Sequence, residues 1–238
     1  MNGDGSRRKQ LTHDQVTEWN PAWSPDHRSI AYVRGAPQRI WVMSPDGSRQ
    51  RPLHLFARRT ERLTQPAWSP DGRRLAASVW TGHDFQLYVY DIRTGRRTPL
   101  GSVGQEQTPE WSPDGTSIAY TGVRGRSGQQ IFISSVRGRR WRQLTHCVPG
   151  ECVSPSWSPN GRRIAFACSG ALCVVDADGS SLRRLGKGGS PAWSPDGRWI
   201  AFAGPYGDIF VVRPGGKGLR RVAKRSPDQT RVNLDPDW

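Results

Sequence analysis

Residues Pro66–Ser78 read PAWSPDGRRLAAS, and four other stretches repeat them: PAWSPDHRSIAYV from Pro21, PEWSPDGTSIAYT from Pro109, PSWSPNGRRIAFA from Pro155 and PAWSPDGRWIAFA from Pro191. A sixth, VNLDPDW, ends the chain on Trp238. The repeat tryptophans Trp23, Trp68, Trp111, Trp157, Trp193 and Trp238 follow one another at steps of 45, 43, 46, 36 and 45 residues. Self-similarity at such a period marks a repeat architecture before any local pattern is considered.

Each unit has four legible parts. Pro-Asp-Gly makes a turn: proline sets φ, aspartate bonds its own backbone, and glycine accepts a positive φ. A short apolar run follows (IAYV, LAAS, IAYT, IAFA, IAFA), and after a variable loop comes a second, such as RIWVM or DIFVV. A turn such as SPDGS or DADGS then leads into a basic segment ending in leucine. These runs have the length and residue types of strands, without helical periodicity. Four strands per unit, A to D, cannot bury both sheet faces alone; radial stacking can. The expectation is an all-β propeller of five complete four-stranded blades, with each repeat tryptophan, one per blade in identical context, buried as a wedge between adjacent blades rather than lining a carbohydrate- or base-stacking ring. A partial sixth would join an N-terminal strand D to a C-terminal strand A, in one domain spanning residues 1–238.

The pattern x-Pro-x-Trp-Ser-Pro-Asp-Gly-x-x-Ile-Ala-Phe, with a later Asp-Gly turn and Leu-Thr, resembles the repeat of the TolB-like six-bladed propellers. The resemblance covers nearly the whole chain. It implies the propeller fold and a role in envelope protein assemblies, and it assigns no partner-contacting residue. His27 replaces the turn glycine of the first unit, and Asn160 the aspartate of the fourth.

Composition agrees with this architecture. The hydrophobic share of 34% is low for one closed core, but eleven tryptophans and evenly spread Gly and Pro suit many short strands. No apolar run reaches the roughly 18 residues of a membrane span. The start, MNGDGSRRKQLTHD, has no apolar signal region. MNGDGSRRKQLT aligns with MSPDGSRQRPLH from Met43 as a C–D turn and D strand. The expectation drawn from this is that strands B and C of the sixth blade once preceded Met1, lost by truncation or a misplaced start, and that restoring them would raise the melting temperature.

No catalytic, cofactor or metal site is expected. A G-x-S-x-G elbow is missing, and the turn serines Ser24, Ser69, Ser112, Ser158 and Ser194 suit structural hydroxyls. His13, His54 and His146 occupy equivalent loops of different blades, which diverge. The carboxylates Asp14, Glu18, Glu106, Glu110, Glu151 and Asp208 are dispersed. Cys147 and Cys152, and Cys168 and Cys173, all fall in the fourth blade. Two local disulfides, Cys147–Cys152 and Cys168–Cys173, are the main expectation; zinc or free thiols are the alternative. Disulfides would place the protein outside the reducing cytoplasm, in the periplasm, cell envelope or extracellular space.

The net charge is +15. Strand assignment puts all of it on the face shared by the A–B and C–D turns, with Arg137, Arg139, Arg140, Arg142, Arg220 and Arg221 prominent. Charged residues on outer strands protect sheet edges. The functional alternative is an anionic partner, nucleic acid fitting less well because few aromatics interleave with the cations. The reading is therefore a monomeric, non-catalytic module that binds a protein or peptide. The alternative is a propeller enzyme, or the accessory propeller of a peptidase- or polysaccharide-lyase-type hydrolase.

Overall fold

The computed structural model describes residues 10–55, 61–100, 104–126, 128–137, 140–147 and 150–223. Its strands form five antiparallel sheets of four. Blade 1 comprises β1 (Glu18–Trp23), β2 (Ile30–Arg34), β3 (Arg39–Met43) and β4 (Arg51–Pro52). Blade 2 comprises β5 (Arg62–Trp68), β6 (Arg74–Trp80), β7 (Phe85–Asp91) and β8 (Arg97–Pro99). Blade 3 comprises β9 (Gln107–Trp111), β10 (Ser117–Gly122), β11 (Gln130–Ser135) and β12 (Trp141–Gln143). Blade 4 comprises β13 (Cys152–Trp157), β14 (Arg163–Cys168), β15 (Ala171–Asp176) and β16 (Arg183–Lys187). Blade 5 comprises β17 (Gly189–Trp193), β18 (Ile200–Ala203), β19 (Ile209–Val212) and β20 (Arg220–Ala223), with one 3-10 turn at Pro205–Gly207. The innermost strands β1, β5, β9, β13 and β17 pack against one another in that order.

The second-strand runs show how one blade serves two interfaces. Successive side chains point to opposite sheet faces. In blade 3, Ile118 and Tyr120 pack with Ala76 and Val89 of blade 2, while Ala119 joins Ile164 and Phe166 of blade 4. Blade 4 repeats this, with Ala165 facing Ile200 and Phe202 of blade 5. Bulky residues face backward and the alanine forward, so each interface pairs large with small. Burying each such Ile or Phe contributes roughly 1.5–3 kcal/mol.

The leucine closing the D segments of blades 1 to 4 is the second fastener. Leu53, Leu100 and Leu144 enter the clusters of blades 2, 3 and 4, and Leu185 packs on that of blade 5. Leu11 takes the same place against Ile30, Tyr32 and Met43 of blade 1. Of the expected partial sixth blade, only Gln10–Thr12 are described, and they lie in no strand. The remainder, Trp238 included, lies outside the described residues.

The Trp-Ser-Pro-Asp-Gly turn is closed by its serine. Ser112 Oγ donates to Asp114 Oδ1 at 2.6 Å and accepts from the Ser117 amide at 2.9 Å, while Asp114 Oδ1 accepts from the Thr116 amide at 3.0 Å. Ser24, Ser69, Ser158 and Ser194 repeat the arrangement, and all five are buried. Asn160 substitutes for aspartate without loss, since Ser158 Oγ donates to its Oδ1 at 2.8 Å. His27 sits at φ 55°, in the left-handed region that histidine enters more readily than most residues.

Both expected disulfides are present. Cys147–Cys152 and Cys168–Cys173 span Cα separations of 6.1 and 6.0 Å, and Cys152 lies opposite Cys168 in the β13–β14 ladder.

Candidate functional site

The inner strands enclose a central cavity of about 390 Å³. Its shape follows from a defect repeated in every blade. Asn20, Gln65, Thr108, Ser154 and Ser190 each precede the proline of strand A, and each has a positive φ between 47° and 54°. The ladder to the second strand slips there in all five blades. A residue before proline normally prefers extended backbone, so a left-handed one at a bulge stores strain of about 1–3 kcal/mol. Bulges re-aim side chains, and all five of these residues line the cavity.

The result is a ring of uncharged polar groups on proline walls. Neighbouring blades tie parts of it together: the Thr108 amide donates to Gln65 Oε1 at 2.9 Å, and the Ser154 amide donates to Thr121 Oγ1 at 3.2 Å. Thr108 Oγ1 and Thr121 Oγ1 lie 2.7 Å apart. Among the described residues, Glu110 is the one charged residue in the lining, and its Oε1 accepts from Ser156 Oγ at 3.5 Å. Such a cavity offers fixed, mostly uncharged donors and acceptors beside one carboxylate, suited to a backbone or polar side chain. Sequence reading passed over this ring, although a polar residue (N, Q, T, S, S) before each Pro-x-Trp was a visible signal.

The other carboxylates considered in the sequence do not converge. Asp14 and Glu18 both engage Arg34, Glu18 at 3.0 Å. The Arg34 guanidinium holds the Asp14 carboxyl below its ordinary range. Glu106 is buried and accepts from the Leu87 amide at 2.8 Å. Asp208 pairs with Arg221 at 2.9 Å; Glu151 is exposed. The turn aspartates Asp26, Asp71, Asp114 and Asp196 also lie below the ordinary range, chiefly because a serine hydroxyl donates to each. His13, His54 and His146 are exposed.

The repeat tryptophans divide. Trp111, Trp157 and Trp193 are buried and Trp68 is half-buried. Trp23, expected to be buried between blades, is 39% exposed and meets His27 at a ring separation of 6.1 Å. Direction explains this. Trp68 Nε1 donates to Ala22 O at 3.1 Å and Trp111 Nε1 to Ala67 O at 3.0 Å, so each indole faces the preceding blade. Among the described residues, no blade precedes Trp23.

The basic-face arginines divide as well. Arg137 and Arg140 are exposed, Arg142 donates to the Ala177 carbonyl, and Arg139 lies outside the described residues. Arg220 stacks on Trp199 at 5.0 Å, whereas Arg221 turns toward Asp208. Outside the named set, Arg97 forms a bidentate pair with buried Glu61, at 2.7 and 3.0 Å.

Comparison with known proteins agrees with this geometry. The chain is 34% identical over 140 residues to the Tol-Pal system protein TolB of Bordetella pertussis, covering 58% of this chain and 31% of that protein. It is 32% identical over 115 residues to a Bacillus subtilis protein named uncharacterized peptidase YuxL, covering 45% of this chain and 17% of that protein. The chain thus spans less than a third of either relative. The crystal structure of TolB from Acinetobacter baumannii matches at a TM-score of 0.78 and 21% identity, over 92% of this chain and 57% of that one, which shows a common fold. The family model of the TolB beta propeller domain matches residues 1–146, 34–185 and 103–238. By that match the chain belongs to the TolB β-propeller domain family.

Proposed function

We propose that this propeller is a non-catalytic, monomeric binding module that holds a protein or peptide segment at its central cavity, in the cell envelope or outside the cell. The observation that carries the reading is the ring of Asn20, Gln65, Thr108, Ser154 and Ser190, aimed inward by a strained bulge in every blade. Strain kept at five equivalent positions argues for a use of the side chains it re-aims. Uncharged donors and acceptors between rigid prolines suit an extended peptide better than a reacting bond. Relatedness to a Tol-Pal system protein supports a partner in an envelope assembly, and the two disulfides support an oxidising compartment.

The test is selection of peptides on the immobilised protein, followed by affinity measurement on Thr108→Trp and Ser154→Trp. Filling the cavity should weaken the selected peptides about tenfold or more. Equal affinity would place recognition elsewhere. The similarity to YuxL favours a second reading, the accessory propeller of a peptidase. Hydrolysis of a mixed peptide pool by the purified chain, abolished by Glu110→Gln, would replace the binding reading with an enzymatic one.

A further inference from the structure

All four cysteines sit on the face of blade 4 turned toward blade 3, in the cluster that holds Ile131, Ile164 and Phe166. Cys152 on β13 and Cys168 on β14 are directly opposite one another, so their side chains leave the sheet on the same side. Their pair is of the kind without mutual hydrogen bonds. The Ser169 amide donates to Glu151 O at 2.9 Å, one residue outward on each strand, and the Cys152 amide donates away, to Gln129 O of blade 3, at 2.8 Å. Opposite residues in such a pair have Cα atoms about 4.5 Å apart, within the roughly 4.4–6.8 Å that a disulfide spans. Each of the two is nevertheless bonded elsewhere, Cys152 to Cys147 and Cys168 to Cys173. A third bond, Cys152–Cys168, is therefore within reach without a change of backbone.

One end of this series meets solvent. Cys152, Cys168 and Cys173 are at most 3% exposed, whereas Cys147 is half-buried beside exposed His146. Cys147 and Cys168 line a cleft of about 430 Å³ between blades 3 and 4, together with His146 and Arg184. Gln130 of β11 clamps the Cys147 backbone from both sides: its Oε1 accepts from the Cys147 amide at 2.8 Å and its Nε2 donates to Cys147 O at 3.1 Å. The residue is thus held in place whether or not its sulfur is bonded. At the other end Arg184 lies opposite Cys173 on β16 and is in no ion pair among the described residues. A cation beside a sulfur favours its thiolate, which makes Cys173 the better leaving group.

Purely structural cross-links need neither an alternative partner in register nor an opening at one end. We propose that the two disulfides act in series as a thiol–disulfide relay, oxidising a dithiol of a protein or peptide that enters the blade 3–4 cleft. The partner's thiolate attacks Cys147 Sγ, forming a mixed disulfide and releasing the Cys152 thiolate. That thiolate attacks Cys168 Sγ, closing Cys152–Cys168 and releasing the Cys173 thiolate. The partner's second thiolate then attacks its own sulfur in the mixed disulfide and frees the Cys147 thiolate. The partner loses two electrons and two protons, and Cys147 and Cys173 end as thiols. The cleft shares no residue with the lining of the central cavity, so the relay does not rest on the peptide-binding reading.

The test is incubation of the oxidised full chain with reduced glutathione, then acid quenching, alkylation of free thiols and peptide mapping by mass spectrometry. Glutathione has a single thiol and holds the relay at its mixed disulfide. The expected product carries glutathione on Cys147, a Cys152–Cys168 bond and an alkylated Cys173. Cys147→Ser, which frees Cys152 from the start, should carry the Cys152–Cys168 bond and a free Cys173 without added thiol. No adduct, an adduct on another cysteine, or alkylated Cys152 beside an intact Cys168–Cys173 bond would each overturn the proposal. So would a folded Cys147→Ser chain that keeps Cys168–Cys173 and leaves Cys152 free.

Discussion

Blades 2 and 3 and blades 4 and 5 use the same tryptophan in different ways. Trp68 and Trp111 donate their indole N–H to the carbonyls of Ala22 and Ala67 in the preceding blade. Trp157 and Trp193 are buried as deeply as Trp111 or nearly so, yet their Nε1 atoms have no hydrogen-bond partner. The residues that precede the neighbouring tryptophans are Ala22 and Ala67 where the bond forms, and Glu110 and Ser156 where it does not. The half of the ring without the bonds carries both disulfides, Cys147–Cys152 and Cys168–Cys173. One sequence motif therefore packs every interface, while its polar complement is local. A buried donor left unsatisfied costs roughly 1–3 kcal/mol, and cross-links constrain the unfolded chain on the side that bears that cost.

The sharpest way to break this comparison is reduction. Loops closed by five-residue separations should contribute about 2 kcal/mol each by loss of unfolded-state entropy. Urea unfolding with and without reductant should show a loss of about 4 kcal/mol for the pair. Little change would mean that blades 4 and 5 do not depend on them.

Two matched substitutions sharpen it further. Trp111→Phe removes a made hydrogen bond to Ala67 O, so it should cost about 0.5–1.5 kcal/mol beyond the lost volume. Trp193→Phe removes a donor that was already unsatisfied and should cost less by a comparable margin. Equal losses in chemical denaturation would erase the distinction between the two halves.

The turn of blade 1 offers a smaller contrast. His27 holds the left-handed conformation that Gly72, Gly115, Gly161 and Gly197 hold in the other blades, at φ 66–67°. His27→Gly should stabilise the chain by up to about 1 kcal/mol through relief of that strain, read as a rise in Tm. A fall in Tm would show that the ring contact with Trp23 outweighs the strain.

The smallest effect concerns acid. Asp26, Asp71, Asp114 and Asp196 titrate below the ordinary value of 3.8. Their contribution is therefore full above that value and is lost as pH falls through the lowered one. Asn160 occupies the same place in blade 4 without a titrating group. Changing the four aspartates to asparagine should leave Tm near pH 7 almost unaltered and flatten its decline below about pH 4. An unchanged acid limb would exclude these turns as its source.

Much of the fold was legible because its determinants are local. Ser-Pro-Asp-Gly closes on itself through the serine hydroxyl within five residues, so the turn, and with it the strand boundaries, could be read directly. The cysteine pairs, five residues apart, were equally within reach. The central ring was less so. A polar residue before proline is ordinary in a loop, and only the ladder slip in all five blades turns it inward.

By themselves, then, the repeated stretch determined an all-β propeller, its period and its turns, and the cysteine spacing determined the local cross-links, since these rest on bonds between residues a few positions apart. The tertiary structure alone decided which indole finds a carbonyl, why Trp23 stands exposed, and which arginines are spent. Arg97 reaches Glu61 across 36 positions and Trp68 reaches Ala22 across 46. Whether a charge or a donor is satisfied depends on which atoms the ring brings within about 3 Å. No spacing along the chain encodes that.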